Sequence, residues 1–354
     1  MTTQMFDEGK FNELLGRAVV DLGAAMQAPL VVLGYKLGLY AALAEGPLTT
    51  TELATRTGCT ERYVREWARC QAASGYVTYD SANDRFHLSP EQALLFAMEE
   101  GPAYLVGGFE IALAAGKIEP RLGDAFRSGR GIGWHEHDDG VPCGTARFFA
   151  PAYRANLVSN WIPALEAVEA KLRAGALVAD VGCGHGVSTL LMAKAFPRST
   201  FIGFDYHEES VAAANAAAAS AGLLGRVTFQ RATAKDYPGT QFDLVTMFDC
   251  LHDLGDPMGA AGHVRDSLAA DGTWMIVEPR AGDRVTDNFN PVGRVYYAAS
   301  TLVCTPGSLS QEVGLALGAQ AGEAPIRAIA DRMGFRRFRR ASETPLHAVY
   351  EVRR

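Results

Sequence analysis

The second half of the sequence alternates between short apolar runs and helical patterns, and this alternation restricts the fold more than any other feature. Strands are predicted over residues 176–181, 200–205, 226–231, 242–248, 273–279, 337–343 and 347–353, and helices near 186–196, 208–222, 257–270 and 323–334. This alternation indicates βαβ units and a mostly parallel, doubly wound sheet. The last two strands are almost contiguous, so we expect them to pair as an antiparallel hairpin at one edge. The predicted class is α/β, with a seven-stranded Rossmann-like sheet.

The segment VADVGCGHGVSTL joins the first of these strands to a helix and carries three glycines at alternate positions. Gly182, Gly184 and Gly186 follow Asp180 in an acid-x-Gly-x-Gly-x-Gly pattern. A dinucleotide fingerprint needs its third glycine at the position of Val187, and a phosphate loop needs a Lys followed by Ser or Thr. Because ligands of open α/β sheets bind where such a turn meets a helix N-terminus, the segment predicts a different nucleotide-like ligand.

A second acid supports this ligand site. Asp205 ends the next predicted strand, 23 positions after Gly182. That separation is near the offset of about 20 residues at which a carboxylate binds ribose hydroxyls. The glycine pattern and Asp205 together resemble the first motifs of the class I S-adenosylmethionine-dependent methyltransferases.

The resemblance implies S-adenosyl-L-methionine as cofactor and assigns roles to the loop. The glycines, with Cys183 between them, would let the backbone approach the amino-acid tail of the cofactor. The helix N-terminus would attract the cofactor carboxylate. Asp180 would meet its ammonium group, directly or through water, and Asp205 would bind its ribose.

Further cofactor contacts follow from the same resemblance. Methyltransferases often carry Asp-Ala after the third strand, where this sequence has Thr233 and Ala234. We therefore expect the Thr233 hydroxyl and the Ala234 backbone to contact adenine, with Tyr206 flanking the ring. Phe248 and Asp249 would lie at the rim beside the methyl group.

The segment before the sheet offers two aromatic candidates and one polar loop. Tyr153 and Trp161 lie in a predicted helix over 148–165 and are possible ring contacts of the cofactor, although such side chains are more often core residues. The loop GWHEHDDG, residues 133–140, contains metal-ligand types. Consecutive residues cannot all point at one ion, so we assign no metal ligands and expect a lid or solvated surface.

The segment CLHDLGDP carries the chemical prediction. It resembles the HDW-x-D segment of small-molecule O-methyltransferases that pair a winged-helix dimerisation domain with this catalytic fold. The resemblance implies that His252 is the general base for a hydroxyl acceptor, with Glu278 as its partner, while Asp253 caps or pairs locally. Leu254 replaces the family's aromatic residue, which leaves an aromatic acceptor open. The alternative is that His252 only lines the site.

The N-terminal residues predict a winged helix. Thr50 is predicted to cap a helix over 51–57, Thr60 a second helix to about Ser74, and a hairpin follows. Residues 1–100 contain 8 Lys/Arg against 13 Asp/Glu, which disfavours binding to DNA phosphates. We expect residues 1–100 to form a dimerisation and substrate-roofing domain, 101–165 a helical connector, and 166–354 the cofactor-binding domain with an insertion at 281–322.

Composition points to a cytoplasmic protein. The net charge is −7, so no global field attracts nucleic acid or anionic membrane. Six scattered cysteines form no C-x-x-C pair and are typical of a reducing compartment. The N-terminal residues do not resemble a signal peptide. The apolar stretch over 28–44, interrupted by Lys36, looks too short to span a membrane.

Together these features predict a methyltransferase that modifies a small, partly apolar molecule, at oxygen, as a homodimer. Tyr296, Tyr297 and Gln311 of the insertion are expected to line the acceptor. The whole chain also resembles actinobacterial methyltransferases of unassigned substrate, through segments such as GWHEHD and NPVGR. Methylation at nitrogen or carbon is the alternative within this class. A cofactor-sensing DNA-binding regulator is the alternative outside it.

Overall fold

The alternation of strands and helices produces one twisted sheet in the C-terminal part of the chain. The computed structural model describes residues 6–354, which divide into two compact units at the Leu113–Ala114 bond. The sheet of the second unit contains β3 (Leu177–Val181), β4 (Thr200–Asp205), β5 (Val227–Arg231), β6 (Phe242–Phe248), β7 (Leu268–Pro279), β8 (Arg337–Glu343) and β9 (His347–Arg353). These bounds agree closely with the predicted strands, except that β7 begins earlier.

The strand order is β5-β4-β3-β6-β7-β9-β8. The five strands from β5 to β7 run parallel, and β9 pairs antiparallel with both β7 and β8. The predicted fold class and the predicted edge hairpin are therefore confirmed. From β3 the chain proceeds outward to β4 and β5 on one side of the sheet, and then to β6 and β7 on the other. Open α/β sheets bind ligands at this change of direction.

Both faces of the sheet are covered by helices, as near-continuous apolar strands require. The side chains of β3 point to both faces of the sheet. Val178 belongs to the core cluster on one face, whereas Ala179 and Val181 belong to the cluster on the opposite face. The helices of the second unit are α7 (Glu119–Ser128), α8 (Gly140–Asn156), α9 (Val168–Ala174), α10 (Val187–Ala195), α11 (Glu208–Ser220), α12 (Pro257–Ser267), α13 (Pro291–Ala299), α14 (Thr305–Leu309) and α15 (Glu323–Arg332). The insertion at 281–322 thus contains two helices that the sequence analysis did not predict.

The first unit contains the predicted winged helix. Its elements are α1 (Glu8–Lys36), α2 (Leu39–Ala44), α3 (Thr50–Thr57), α4 (Glu61–Ala73), β1 (Thr78–Asp80), β2 (Arg85–His87) and α5 (Pro90–Phe96), and α6 (Val106–Gly116) crosses the boundary between the units. The predicted cap of α3 was one residue too late. Thr49 is the N-cap, because its hydroxyl accepts from the Glu52 amide at 3.2 Å while the Glu52 carboxylate accepts from the Thr49 amide at 2.8 Å.

Helix α1 is longer and more exposed than the sequence analysis expected. It has 29 residues and is long and apolar enough, by length and composition alone, to cross a membrane. This helix is a different segment from the 28–44 stretch of the sequence analysis, which is divided between α1 and α2. Apolar side chains such as Val20 and Met26, each 71% exposed, lie along it without cover.

Candidate active site

A large cavity lies at the carboxyl ends of β3, β4 and β6. Its empty volume, which includes open solvent, is about 1170 Å³. The predicted site residues in its wall are Tyr153, Gly182, Cys183, Gly184, Asp205, Tyr206, Ala234, Phe248 and Asp249. The predicted site residues outside the wall are Trp161, Asp180, Gly186, Thr233, His252 and Glu278.

The three glycines of the loop between β3 and α10 have different roles. All have positive φ, at 74°, 51° and 78° for Gly182, Gly184 and Gly186, a conformation that glycine adopts without steric cost. A Cβ on Gly184 would meet nothing within 4 Å, whereas one on Gly186 would lie 2.5 Å from the Phe229 ring. Gly184 therefore presents bare backbone to the cavity, and Gly186 allows the start of α10 to pack closely against β5.

Asp205 is fixed at the end of β4 by backbone amides. Its Oδ2 accepts from the Gly184 amide and its Oδ1 from the His207 amide, both at 2.9 Å. Burial raises the pKa of Asp205, and these two amide hydrogen bonds oppose the rise. Each oxygen retains a further lone pair, so the carboxylate can accept from ligand hydroxyls while the loop holds it in place.

Asp180 does not take the position expected for it. The carboxyl is buried and accepts three hydroxyl hydrogen bonds, from Ser188 at 2.7 Å, Thr189 at 2.5 Å and Thr246 at 2.9 Å. Its oxygens are thus committed to α10 and β6 beneath the loop. Asp180 braces the loop from below, and the expected contact between Asp180 and the cofactor ammonium has no support in this geometry.

Asp249 is the carboxylate that faces the cavity beside the loop. Its backbone is left-handed, with φ of 50°, and its Oδ2 accepts from the Tyr153 hydroxyl at 2.6 Å. His347 of β9, which the sequence analysis missed, brings Nε2 to 3.2 Å from the same oxygen. Oδ1 is buried and has no hydrogen-bond partner among residues 6–354. An unpaired buried carboxylate oxygen is costly, so this atom is a strong acceptor for a positively charged ligand group.

Of the residues predicted to contact the rings of the cofactor, some line the cavity and others do not. Trp161 is fully buried in the core, with its ring 6.0 Å from that of Tyr153, and it does not reach the cavity. The Thr233 hydroxyl donates to Asp236 Oδ1 at 2.8 Å instead of facing the cavity. Ala234 and Tyr206 do line the cavity, next to the Phe204 ring.

His252 lies in a turn after β6 and is held between two carboxylates. Its Nδ1 is 2.5 Å from Glu278 Oε2, and its Nε2 is 3.1 Å from Asp253 Oδ1. Glu278 also accepts from the Leu251 amide at 2.9 Å, which fixes the carboxylate relative to the turn. Burial lowers the pKa of His252, but Asp253 and Glu278 overcome this effect and raise it well above the usual value. The predicted partnership of His252 and Glu278 corresponds to a direct contact.

Asp253 is the member of this group that reaches the cavity wall. Gln311 lies beside it, donating through Nε2 to the Asp253 carbonyl at 3.0 Å and accepting from the Gly255 amide at 2.9 Å. Gln311 lines the cavity as expected, whereas Tyr296 and Tyr297 do not.

The sequence analysis did not assign several other wall residues. Trp134, Phe149 and Val303 come from a turn, from α8 and from the insertion, respectively. Phe149 and Val303 lie outside any motif, whereas Trp134 belongs to the 133–140 loop that was expected to form a lid or solvated surface.

Two family models match separate parts of the chain, one in each of the two compact units. Residues 172–313 match the family described as "Methyltransferase domain", and residues 25–97 match the "Rv2258c-like winged HTH domain". The chain carries a methyltransferase domain. This domain contains the glycine loop, Asp205 and His252, and the two matches confirm the predicted pairing of a methyltransferase with an N-terminal winged helix.

Among curated proteins, the chain is similar to the 27-O-demethylrifamycin SV methyltransferase of Amycolatopsis mediterranei (strain S699). The two are 37% identical over 87 residues, which is 24% of this chain and 32% of that protein. The match thus spans about a third of the relative's length.

Solved structures share the fold over nearly the whole chain. The mitomycin 7-O-methyltransferase MmcR has a TM-score of 0.70 at 19% identity, covering 98% of this chain and 99% of that one. Human N-acetylserotonin methyltransferase in complex with SAM has a TM-score of 0.73 at 15% identity, covering 100% and 99%. At such identities the likeness concerns the architecture of the methyltransferase.

Proposed function

We propose that the protein transfers a methyl group from S-adenosyl-L-methionine to a hydroxyl oxygen of a small, partly apolar molecule. The observation that carries the proposal is the pairing of two features on one cavity. Gly184 and Asp205 form one part of its wall, and Asp253, in contact with the His252–Glu278 pair, forms another.

The wall fits the chemical groups of this cofactor. The Asp205 carboxylate suits vicinal ribose hydroxyls, and Tyr206 with Ala234 suits a flat, largely apolar base. The unpaired Oδ1 of Asp249 suits the cofactor ammonium, a role that the sequence analysis gave to Asp180. The solved structures of the N-acetylserotonin methyltransferase and of PigF, which share this fold, contain SAM and SAH, respectively.

When bound, the cofactor supplies an electrophilic methyl group, and the chain must supply a proton acceptor for the hydroxyl. His252 is placed for this role because Glu278 holds its Nδ1 and so directs the Nε2 lone pair away from the sheet. Asp253 and Glu278 raise the pKa of His252, so the ring accepts a proton only after losing its own, and the rate of methyl transfer should increase with pH. Asp253 contacts Nε2 and lines the cavity, so the Asp253–His252 pair links the cavity to the buried Glu278.

The apolar wall supports a partly apolar acceptor. Trp134, Phe149 and Leu254 line the cavity alongside few polar side chains, which is typical of small-molecule sites. Oxygen is favoured over nitrogen or carbon because amines need no strong base once neutral, whereas a hydroxyl does. Two of the similar proteins, the rifamycin and mitomycin enzymes, are named as O-methyltransferases or act on an O-demethyl compound.

The test is a methyl-transfer screen with isotopically labelled S-adenosyl-L-methionine. Panels of phenolic, aliphatic-alcohol and amine acceptors of similar size would be incubated with the protein, and the labelled atom would be located by NMR. We expect label on oxygen of at least one hydroxyl acceptor. Label confined to nitrogen or carbon would overturn the oxygen assignment, and a protein that binds no cofactor would overturn the whole proposal.

We also propose that the protein is a cytoplasmic homodimer that associates through α1. Exposed apolar side chains lie along it, including Leu14, Val19, Val20 and Met26, and contiguous exposed apolar surface marks interaction sites. A second copy of the chain covers this surface without any further component. Double substitution of Val20 and Met26 by Lys should convert the dimer to a monomer in light scattering, with the helical circular dichroism retained. A wild-type monomer that floats with liposomes would instead assign the helix to a membrane.

The charge pairs on α4, the helix of a winged helix that would contact DNA bases, do not favour DNA binding. Arg62 and Arg69 pair with Glu66, at 2.6 and 3.9 Å, and Arg65 pairs with Glu61 at 2.6 Å. These carboxylates would have to be displaced or neutralised before the arginines could contact phosphates. We therefore assign the winged helix to dimerisation.

A further inference from the structure

Three side chains of metal-binding type meet at the acceptor end of the cavity. His252 and Asp253 belong to the turn after β6, and Cys304 lies just before α14 in the insertion. One ring nitrogen, one carboxylate oxygen and the thiol sulfur all lie within 4.8 Å of one another. The cluster joins segments 50 positions apart in the sequence, which is why no sequence motif revealed it.

The cluster is shielded and has an unsatisfied acceptor. His252 is 4% exposed and Cys304 is 8% exposed. Asp253 Oδ1 lies 3.1 Å from His252 Nε2, yet it forms no aligned hydrogen bond with any residue of the described chain.

The donor set matches a thiophilic divalent cation. Thiolate sulfur, imidazole nitrogen and carboxylate oxygen are the three ligand types of zinc sites, and three protein ligands leave a fourth position open. Here the open position would face the cavity, because Asp253 is part of the cavity wall.

Glu278 is the carboxylate that orients the histidine of such a site. Metal-binding histidines commonly donate their other ring N–H to a carboxylate, which fixes the tautomer and orients the ring. The 2.5 Å contact between His252 Nδ1 and Glu278 Oε2 has this form. It leaves Nε2, on the side of Asp253 and Cys304, as the metal-binding nitrogen.

We propose that His252, Asp253 and Cys304 bind Zn²⁺ or a similar thiophilic divalent cation, and that the bound ion stops methyl transfer. Occupancy uses the Nε2 lone pair that the hydroxyl proton would otherwise take, so the two events exclude each other. Zinc binds the thiolate form of cysteine, so metal binding displaces the Cys304 thiol proton to the buffer. The binding claim stands on the cluster alone, whereas the inhibition claim rests on the proposed function.

The binding claim is tested on the full chain after removal of metals with a chelator. Calorimetric titration with Zn²⁺ should give one tight site per chain that Mg²⁺ does not fill. With Co²⁺, the protein should show a thiolate-to-cobalt charge-transfer band. Cys304→Ala should abolish both results, and Cys143→Ala, which removes an exposed thiol elsewhere, should abolish neither. Failure of the wild type to bind Zn²⁺, or undiminished binding by Cys304→Ala, would overturn the site.

The inhibition claim is tested by methyl transfer with and without Zn²⁺. Saturating Zn²⁺ should lower the wild-type rate by at least about tenfold, as expected for loss of a general base, and a chelator should restore it. The rate of Cys304→Ala, measured against its own metal-free rate, should not fall when Zn²⁺ is added. Stoichiometric Zn²⁺ binding without inhibition would overturn the regulatory role and leave the site intact. Absence of any metal-free activity would count against the proposed function and not against the site.

Discussion

The two ends of the cavity differ in how the chain builds them. Two parts of the cofactor end, the glycine loop and Asp205, come from one stretch of sequence, in which the Gly184 amide donates to the Asp205 carboxylate. The acceptor end is made from a turn after β6, from α8 and from the insertion, which are distant in sequence. Local backbone geometry therefore fixes the first end, while tertiary packing fixes the second. The predictions below test whether these ends also have separate functions.

The largest effect is expected at the acceptor end. His252→Ala should lower kcat by about 10²–10⁴-fold, because the hydroxyl loses its proton acceptor. Steady-state kinetics with the acceptor found in the screen would measure it. His135→Ala, which removes an exposed histidine in the 133–140 loop, is the matched control and should keep the wild-type rate. A His252→Ala enzyme as fast as this control would reduce His252 to a lining residue.

At the cofactor end, Gly186→Ala should destabilise the protein by about 1–3 kcal/mol, because strain in the left-handed region is combined with a clash. The new methyl group would lie 2.5 Å from the Phe229 ring. Gly222→Ala is the control, because Gly222 has φ of 68° but open space around its Cβ position. Thermal unfolding should show a larger loss for Gly186→Ala than for Gly222→Ala. Equal losses would mean that backbone conformation, and not close packing, sets the requirement for glycine.

Asp249→Asn should weaken cofactor binding by about tenfold, because a charge-assisted hydrogen bond contributes roughly 1.5–3 kcal/mol. The amide oxygen can still accept from Tyr153, so the fold should be retained. Equilibrium dialysis with labelled S-adenosyl-L-methionine would measure the change. Asp236→Asn, at an exposed position, should bind as the wild type does. If Asp249→Asn also binds normally, the ammonium group has another partner.

The smallest effect is expected for Thr233→Val. Since its hydroxyl already bonds to Asp236, removal should change cofactor affinity by no more than about twofold, as for other exposed substitutions. A large loss in the same dialysis experiment would restore the adenine contact that the family resemblance implied for this residue.

Much of the fold could be predicted from the sequence because strand and helix periods are local properties. The seven strands and the pairing of His252 with Glu278 follow from such patterns and from the family resemblance. The role of Asp180 could not be predicted in the same way. Its motif position is the usual one, but three hydroxyls from α10 and β6 engage it, and the sequence contains no indication of that network.

The residues that the sequence analysis missed have the same explanation. His347 reaches Asp249 because β9 inserts between β7 and β8, and Cys304 reaches His252 because the insertion folds back over the turn after β6. Neither residue lies in a motif. In the insertion, the resemblance covers NPVGR and the sequence analysis predicted Gln311, but the contributions of Val303 and Cys304 became visible only with the tertiary structure.

The central claim is that one cavity contains a cofactor end and a separate proton-accepting end. Calorimetric titration of S-adenosyl-L-methionine into the wild type, Asp205→Ala and His252→Ala tests it most directly. We predict one site per chain in the wild type, the same affinity in His252→Ala, and an affinity about 10- to 100-fold weaker in Asp205→Ala, since hydrogen bonds to a charged carboxylate are lost. Equal weakening in both variants, or no binding by the wild type, would contradict the account.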